Sequence, residues 1–203
     1  MMTLSGFSKT WTSFLINMPD NSNPINMKSL LITAITFLGL VFAQAQGTAP
    51  ESLKQEMQKL AYMAGKWKGE ASMRQQNGSM IQVNQEEDIQ FKLDGTILVI
   101  EGTGRNPQDG KVSFNAYAIV SFDQQKKEFK LKSHVMNGNQ TDAYFKILEE
   151  NHFEWGFEVA NNAKIRYDIK LNPSDKSWIE KGEYSPDGNM WYPFIDMKLT
   201  KLD

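Results

Sequence analysis

The 203-residue sequence contains no cysteine. The protein therefore forms no disulfide, has no thiolate nucleophile and offers no cysteine to which a lipid could be attached. Runs of basic residues are also missing, and the formal net charge at pH 7 is −2. This charge argues against nucleic acid and against an anionic membrane surface as partners. We expect a protein released in soluble form.

Histidine is scarce, because His134 and His152 are the only two in the chain. Both fall among the polar positions of predicted strands, His152 together with Glu154 and Glu158. Residues on that phase face solvent, so we expect both imidazoles at the surface. A serine triad then has no base. The sequence predicts no catalytic residue and no metal site, and the protein is expected not to be an enzyme.

The longest apolar run, residues 30–42, is shorter than the roughly 20 residues that a helix needs to span a bilayer. Lys28 precedes it, and Ala43 and Ala45 follow with the spacing of a cleavage site, which together predict a signal peptide over residues 27–45. Residues 1–26 are interpreted as a mis-assigned upstream segment. The mature chain, 46–203, is expected to form one domain that is secreted or periplasmic and does not insert into a membrane.

One short helix is predicted at the start of the mature chain. Pro50 suits a first helical position, and Leu53, Met57 and Leu60 follow at spacings that place them on one helical face. The helix is expected to end near Gly65.

The rest of the chain alternates between apolar and polar residues with a period of two, which is typical of strands with one buried face. Dipeptides that favour tight hairpin turns separate these segments, at 77–78, 94–95, 109–110, 137–138 and 187–188. The pattern predicts ten strands: 66–74, 79–93, 96–105, 111–122, 127–136, 140–149, 152–160, 163–171, 177–185 and 190–201.

Ten antiparallel strands joined by short turns would expose two edges if they formed an open sheet, and closing the sheet removes both. The sequence therefore predicts an all-β fold, a closed antiparallel up-and-down β-barrel of about ten strands with one short N-terminal helix. No internal repeat or second domain is indicated.

The first strand carries Gly65, Trp67 and Gly69. We expect Trp67 to plug one end of the barrel while the glycines let the backbone pass close to it. This Gly-x-Trp after a short helix, followed by about ten meandering strands, resembles the calycin superfamily. Within it the chain is similar to bacterial lipocalin-like ten-stranded barrels related to nitrobindin. The resemblance implies an internal cavity for an apolar small molecule, or for haem in the nitrobindin branch.

In nitrobindin-like barrels the resemblance implies a haem-ligating histidine near the C-terminal end of the barrel. The last predicted strand, 190–201, contains no histidine. We therefore expect no haem and no other cofactor.

Aromatic residues on the apolar phases of neighbouring strands are the candidate ligand-binding residues: Phe145, Trp155, Phe157, Tyr167 and Trp178. Glu180 shares the phase of Trp178, and Gln85 and Glu87 share the phase of Val83 and Ile89, so these polar groups are also expected inside. Arg105 is the candidate basic partner for a ligand carboxylate.

Three functions are open at this point. The first is non-catalytic binding of a small apolar or amphipathic molecule inside the barrel. The second is a haem-binding enzyme of nitrobindin type. The third is an interaction module whose interior is filled by its own side chains and holds no ligand.

Overall fold

A computed structural model describes residues 48–75 and 77–202. The described chain has one α-helix, α1 (Glu51–Gln58), short 3₁₀ turns at Ala61–Met63 and Ala160–Asn162, and ten strands. The strands are β1 (Gly65–Arg74), β2 (Met80–Lys92), β3 (Ile97–Arg105), β4 (Val112–Asp123), β5 (Glu128–Val135), β6 (Gln140–Glu149), β7 (His152–Glu158), β8 (Lys164–Asn172), β9 (Ser177–Ser185) and β10 (Tyr192–Lys201). The predicted signal peptide and the segment before it lie outside the described residues.

The ten strands form one closed antiparallel barrel. Each strand pairs with its neighbours in the sequence, and β1 pairs with β10 to complete the ring. No edge is left for pairing with another chain. The predicted up-and-down barrel is confirmed, and every strand boundary lies within two residues of its predicted position.

The helix closes one end of this barrel. Met57, Leu60 and Met63 are fully buried, and Lys54 on the outer side of α1 forms an ion pair of 2.7 Å with Asp94 in the β2–β3 turn. The helix ends at Gln58 and the chain continues as a 3₁₀ turn, which corrects the expectation of a helix reaching residue 64 or 65. This tighter turn brings Met63 to the start of β1.

Trp67 lies directly above the helical segment, with only 1% of its surface exposed. Its indole Nε1 donates a hydrogen bond of 2.8 Å to the carbonyl oxygen of Met63. The ring meets Trp178 edge to face at 5.3 Å between centroids, and the ammonium of Lys201 lies 5.1 Å from its centroid. The predicted plug is therefore confirmed, with its one polar atom satisfied.

Gly69 is required where β1 and β10 come together. A Cβ at this position would overlap the carbonyl oxygen of Lys198 on β10, far inside van der Waals contact. Gly69 pairs with Leu199 in this ladder. The absence of a side chain thus allows the two strands that close the ring to approach each other.

The opposite end of the barrel carries the β1–β2, β3–β4, β5–β6, β7–β8 and β9–β10 turns, because consecutive strands run in opposite directions. Several of these turns are stabilised by Asn or Asp side chains that accept backbone N–H bonds, as Asn137 does from Asn139 at 3.0 Å. No helix in the described part of the chain is long and apolar enough to cross a membrane.

Candidate functional site

A cavity of about 590 Å³ occupies the barrel interior. It reaches from Met63, above the helix, to Asn139, Gln140 and Thr141 at the β5–β6 turn, so its mouth lies at the end opposite the helix. Its size falls within the range of about 300–1,000 Å³ that is typical of small-molecule sites. The interior is therefore not filled by side chains. The third function, an interaction module with a packed interior, requires a filled one.

Aromatic rings cover one side of this lumen. Trp155 on β7 and Tyr167 on β8 are directly paired across the two strands, and their rings stack at 3.9 Å and 5°. Phe157 stacks on Trp155 at 6.3 Å, and Phe194 meets Tyr167 edge to face at 5.8 Å. Cross-strand aromatic pairs of this kind stabilise the sheet and also present a broad apolar surface to a ligand.

Two carboxyl groups face the same lumen from β2 and β9, which are separated in the ring only by β1 and β10. Glu87 on β2 pairs in register with Trp67. Its carboxylate lies over Gly102 of β3, where a Cβ would stand 2.8 Å from Oε2. Gln85 donates a hydrogen bond of 2.8 Å from Nε2 to Glu87 Oε1. The surface that Glu87 retains faces the cavity, which it lines.

Glu180 on β9 is the second carboxyl group, and it is 8% exposed. The indole Nε1 of Trp178 donates to Glu180 Oε2 at 3.1 Å. Since Trp178 packs against Trp67, this anchor holds Glu180 near the closed end. Glu180 thus lies deep in the lumen with an indole fixing one carboxyl oxygen.

Burial changes the protonation of both acids. Desolvation raises the pKa of Glu87 to about 7, against the opposing effect of the hydrogen bond from Gln85. Desolvation, followed by the charge of Glu87, raises the pKa of Glu180 to about 8, while hydrogen bonds from Trp178 and Trp155 act in the opposite direction. Burial and the charge of Glu180 also raise the pKa of Tyr167 above its usual range. Burial therefore favours the protonated form of both carboxyl groups in the lumen.

Six of the seven predicted site residues line the lumen: Phe145, Trp155, Phe157, Tyr167, Trp178 and Glu180. Arg105 does not. It is exposed at the end of β3, and its Nη1 donates to the carbonyl oxygen of Gly110 at 3.4 Å. Leu98, Ile100 and Gly102 occupy the inward phase of β3, so the odd-numbered positions face outward. The expectation of an inward basic group is wrong.

The prediction omitted two aromatic residues of the lumen. Phe114 belongs to an inward-facing series on β4 with Ala116, Ala118 and Val120. The alternation of this series with Asn115 and Tyr117 was the sequence signal that could have identified Phe114. Phe194 carried no such signal. The register between β10 and β9 shifts between Pro193 and Ile195, and both Phe194 and Ile195 line the cavity. A strict two-residue alternation places adjacent residues on opposite faces of the sheet, so it cannot identify two adjacent residues that both line the cavity.

Neither histidine faces the lumen. His134 is exposed on β5. His152 lies on the outer face of β7, where its Nε2 is 2.6 Å from Asp168 Oδ2. No group of three metal-ligating side chains occurs among residues 48–75 and 77–202. The cavity therefore does not offer the histidine ligand that a nitrobindin-like haem site implies.

No family model and no curated protein matches the sequence. Solved structures do match the fold. Rv2717c from M. tuberculosis superposes with a TM-score of 0.56 at 10% identity, over 77% of this chain and all of that one. The S-type phycobiliprotein lyase CPES from Guillardia theta superposes with a TM-score of 0.51 at 12% identity, over 76% of this chain and 98% of that one.

These neighbours and the closed ten-stranded barrel fit a calycin or lipocalin-like fold. At 10–12% identity the likeness concerns the fold alone. The function of the protein therefore depends on the residues of its own site.

Proposed function

We propose that this protein is an exported, non-catalytic carrier that holds a small apolar or amphipathic molecule inside its barrel. The observation on which this rests is the cavity of about 590 Å³ with an aromatic wall and a few polar groups at depth. Such a lining is typical of sites that bind drug-sized ligands, where apolar contact gives affinity and a few polar atoms fix orientation.

The cavity reaches the mouth at the β5–β6 turn, so a ligand has a path into it. Stacked rings such as Trp155 and Tyr167 form a rigid wall that loses little side-chain entropy when a ligand binds. Closure of the barrel means that β-strand addition to a sheet edge is not available for recognition.

The test is titration with Nile red, a neutral dye whose emission reports an apolar environment. We expect one-to-one binding and displacement by long-chain lipids. Ala118→Trp should abolish binding, because Ala118 lines the lumen and an indole at this position would occupy it. Circular dichroism would verify that the variant folds.

Tyr117→Trp is the matched control. Tyr117 is the neighbouring residue on β4, but it faces outward with 43% of its surface exposed. This variant should bind the dye like the wild type. Absence of binding by the wild-type protein, or equal binding by Ala118→Trp, would show that the lumen is not the ligand site.

The relation to nitrobindin-like barrels is, we propose, one of architecture and not of haem chemistry. Both histidines lie outside the lumen, so a haem iron placed there would lack an imidazole ligand. The groups that line the cavity suit binding: apolar rings, amides and carboxyls. Export through the signal peptide at residues 27–45 completes the proposal.

A further inference from the structure

The lumen is acidic. Three titratable side chains line it in the part of the chain that the structure describes, namely Glu87, Glu180 and Tyr167. No lysine, arginine or histidine of the described residues lines it with them. Buried carboxylates are normally paired with a cation, because an isolated buried charge is costly. Here the described lining residues supply hydrogen bonds to both acids but no positive charge.

The rings beside the acids are suited to a cation as well. Glu180 on β9 lies beside β8, which carries Tyr167, and Tyr167 lies flat against Trp155. The faces of tryptophan and tyrosine attract ammonium groups within about 6 Å, and this attraction strengthens when the site is desolvated. Aromatic rings and carboxyl groups therefore line the same cavity.

We propose that the lumen selects cationic amphiphiles. The ammonium head is held by Glu87 and Glu180 against the Trp155–Tyr167 pair, and the apolar body extends toward the mouth. This inference rests on the proposed function and specifies the class of ligand. A fatty acid is disfavoured, since its carboxylate would add a further acidic group to the lumen and Arg105 is not there to neutralise it.

The experiment compares three ligands with the same decyl chain: decyltrimethylammonium, decanol and decanoate. Isothermal titration calorimetry is run below the critical micelle concentrations of the two ionic ligands and below the solubility limit of decanol. The pH is about 8, near the pKa values of the two acids. We expect decyltrimethylammonium to bind at least about tenfold more tightly than decanol, which corresponds to about 1.4 kcal/mol. Decanoate should bind more weakly than decanol.

The double variant Glu87→Gln, Glu180→Gln keeps the shape of both groups and one acceptor oxygen in each, for the hydrogen bonds from Gln85 and Trp178, but removes their charge. It should lose the preference for the ammonium ligand and bind decanol within about twofold of the wild type. Glu101→Gln is the control, because Glu101 is exposed on the outer face of β3 beside Gly102. This variant should keep the wild-type preference.

The pH profile gives an independent measurement. The quaternary ammonium keeps its charge at every pH, so any dependence comes from the protein. Its affinity should rise as pH increases through the pKa values of Glu87 and Glu180, about 7 and about 8. Titrations in two buffers of different ionisation enthalpy should show proton release on binding. Decanol should show neither effect.

The outcomes separate the two proposals. Decanol or decanoate binding as tightly as the ammonium ligand overturns the inference and leaves the carrier function standing. Retention of the ammonium preference by the double variant also overturns the inference. If the wild-type protein does not bind Nile red, the carrier function fails, and the inference that rests on it fails as well.

Discussion

At the scale of single residues, Trp67 links the helix to the barrel. Its indole is buried, bonded to Met63 and packed on Trp178. Trp67→Ala should therefore lower the free energy of unfolding by about 3–5 kcal/mol, as other large-to-small changes in cores do. Urea denaturation of the variant and the wild type measures this difference in the free energy of unfolding.

Tyr117→Ala provides the comparison for Trp67→Ala, because it removes an aromatic ring from the outer face of β4. We expect it to cost about 1 kcal/mol or less, through the loss of a cross-strand contact. Equal losses for the two variants would contradict the role of Trp67 as the plug.

Glu180 should make the protein less stable as pH rises. Below pH 4.5 its carboxyl is protonated in both the folded and the unfolded states. Above this pH the unfolded chain ionises first, so folding is progressively disfavoured up to the folded-state pKa of about 8. The loss due to Glu180 should be on the order of 3–5 kcal/mol. Glu180→Gln should remove that part of the slope in urea denaturation across this range.

Glu101→Gln controls for a general effect of removing one acid, since Glu101 is exposed on the outer face of β3. It should keep the wild-type slope between pH 4.5 and about 8. A Glu180→Gln protein with the same slope as the wild type would show that Glu180 is not held protonated.

At the scale of elements, the contact of β1 with β10 depends on Gly69. Gly69→Ala should cost roughly 3 kcal/mol, at the upper end of overpacking effects, because the new Cβ meets the backbone of Lys198 and cannot move away. Amide hydrogen exchange should increase most in β1 and β10.

Gly110→Ala is the reference substitution for Gly69→Ala. Gly110 has nothing within 4 Å of an added Cβ, but its φ is +70°, so the cost should be about 1–2 kcal/mol of backbone strain. Its effect should stay within the β3–β4 turn. A Gly69→Ala protein no less stable than Gly110→Ala would rule out a tight contact at the closing ladder.

The elements were predictable from the sequence because each strand is bounded by its own turn signal. Asn137 and Gly138, for example, fix the β5–β6 turn without reference to the rest of the chain. The phase of β3 was not predictable in this way. Ile97, Leu98, Val99 and Ile100 are all apolar, so alternation cannot tell which face is buried, and Arg105 was assigned to the wrong one.

The arrangement of the two acids in one cavity also could not be predicted from the sequence. Period two indicated that Glu87 and Glu180 point inward. It could not show that strands far apart in the sequence, β2 and β9, bring both acids into one lumen, because that depends on closure and register. The acidic character of the cavity emerges only when the ring is complete.

At the scale of the whole molecule, the mature protein should begin at Gln46. Residues 27–45 have the order of a cleaved signal, with Lys28, an apolar run and Ala43 and Ala45 before the cut. Intact-mass analysis of protein recovered from the extracellular or periplasmic fraction measures the start. An Ala45→Leu variant should be processed poorly, and a mature protein that retains residues 1–26 would refute the assignment.

The helical segment and Trp67 close one end of the barrel, and the two acids, Glu87 and Glu180, lie toward this closed end. A ligand whose ammonium group binds Glu87 and Glu180 must travel the barrel head first, and its tail is the last part to leave solvent. Release reverses the order, so the ionic contact has to break before any of the tail can withdraw. A molecule that accepts the ligand at the mouth can contact the apolar tail of the bound ligand but not its ammonium group. Protonation of the two acids, and not competition at the mouth, would then set the rate of unloading.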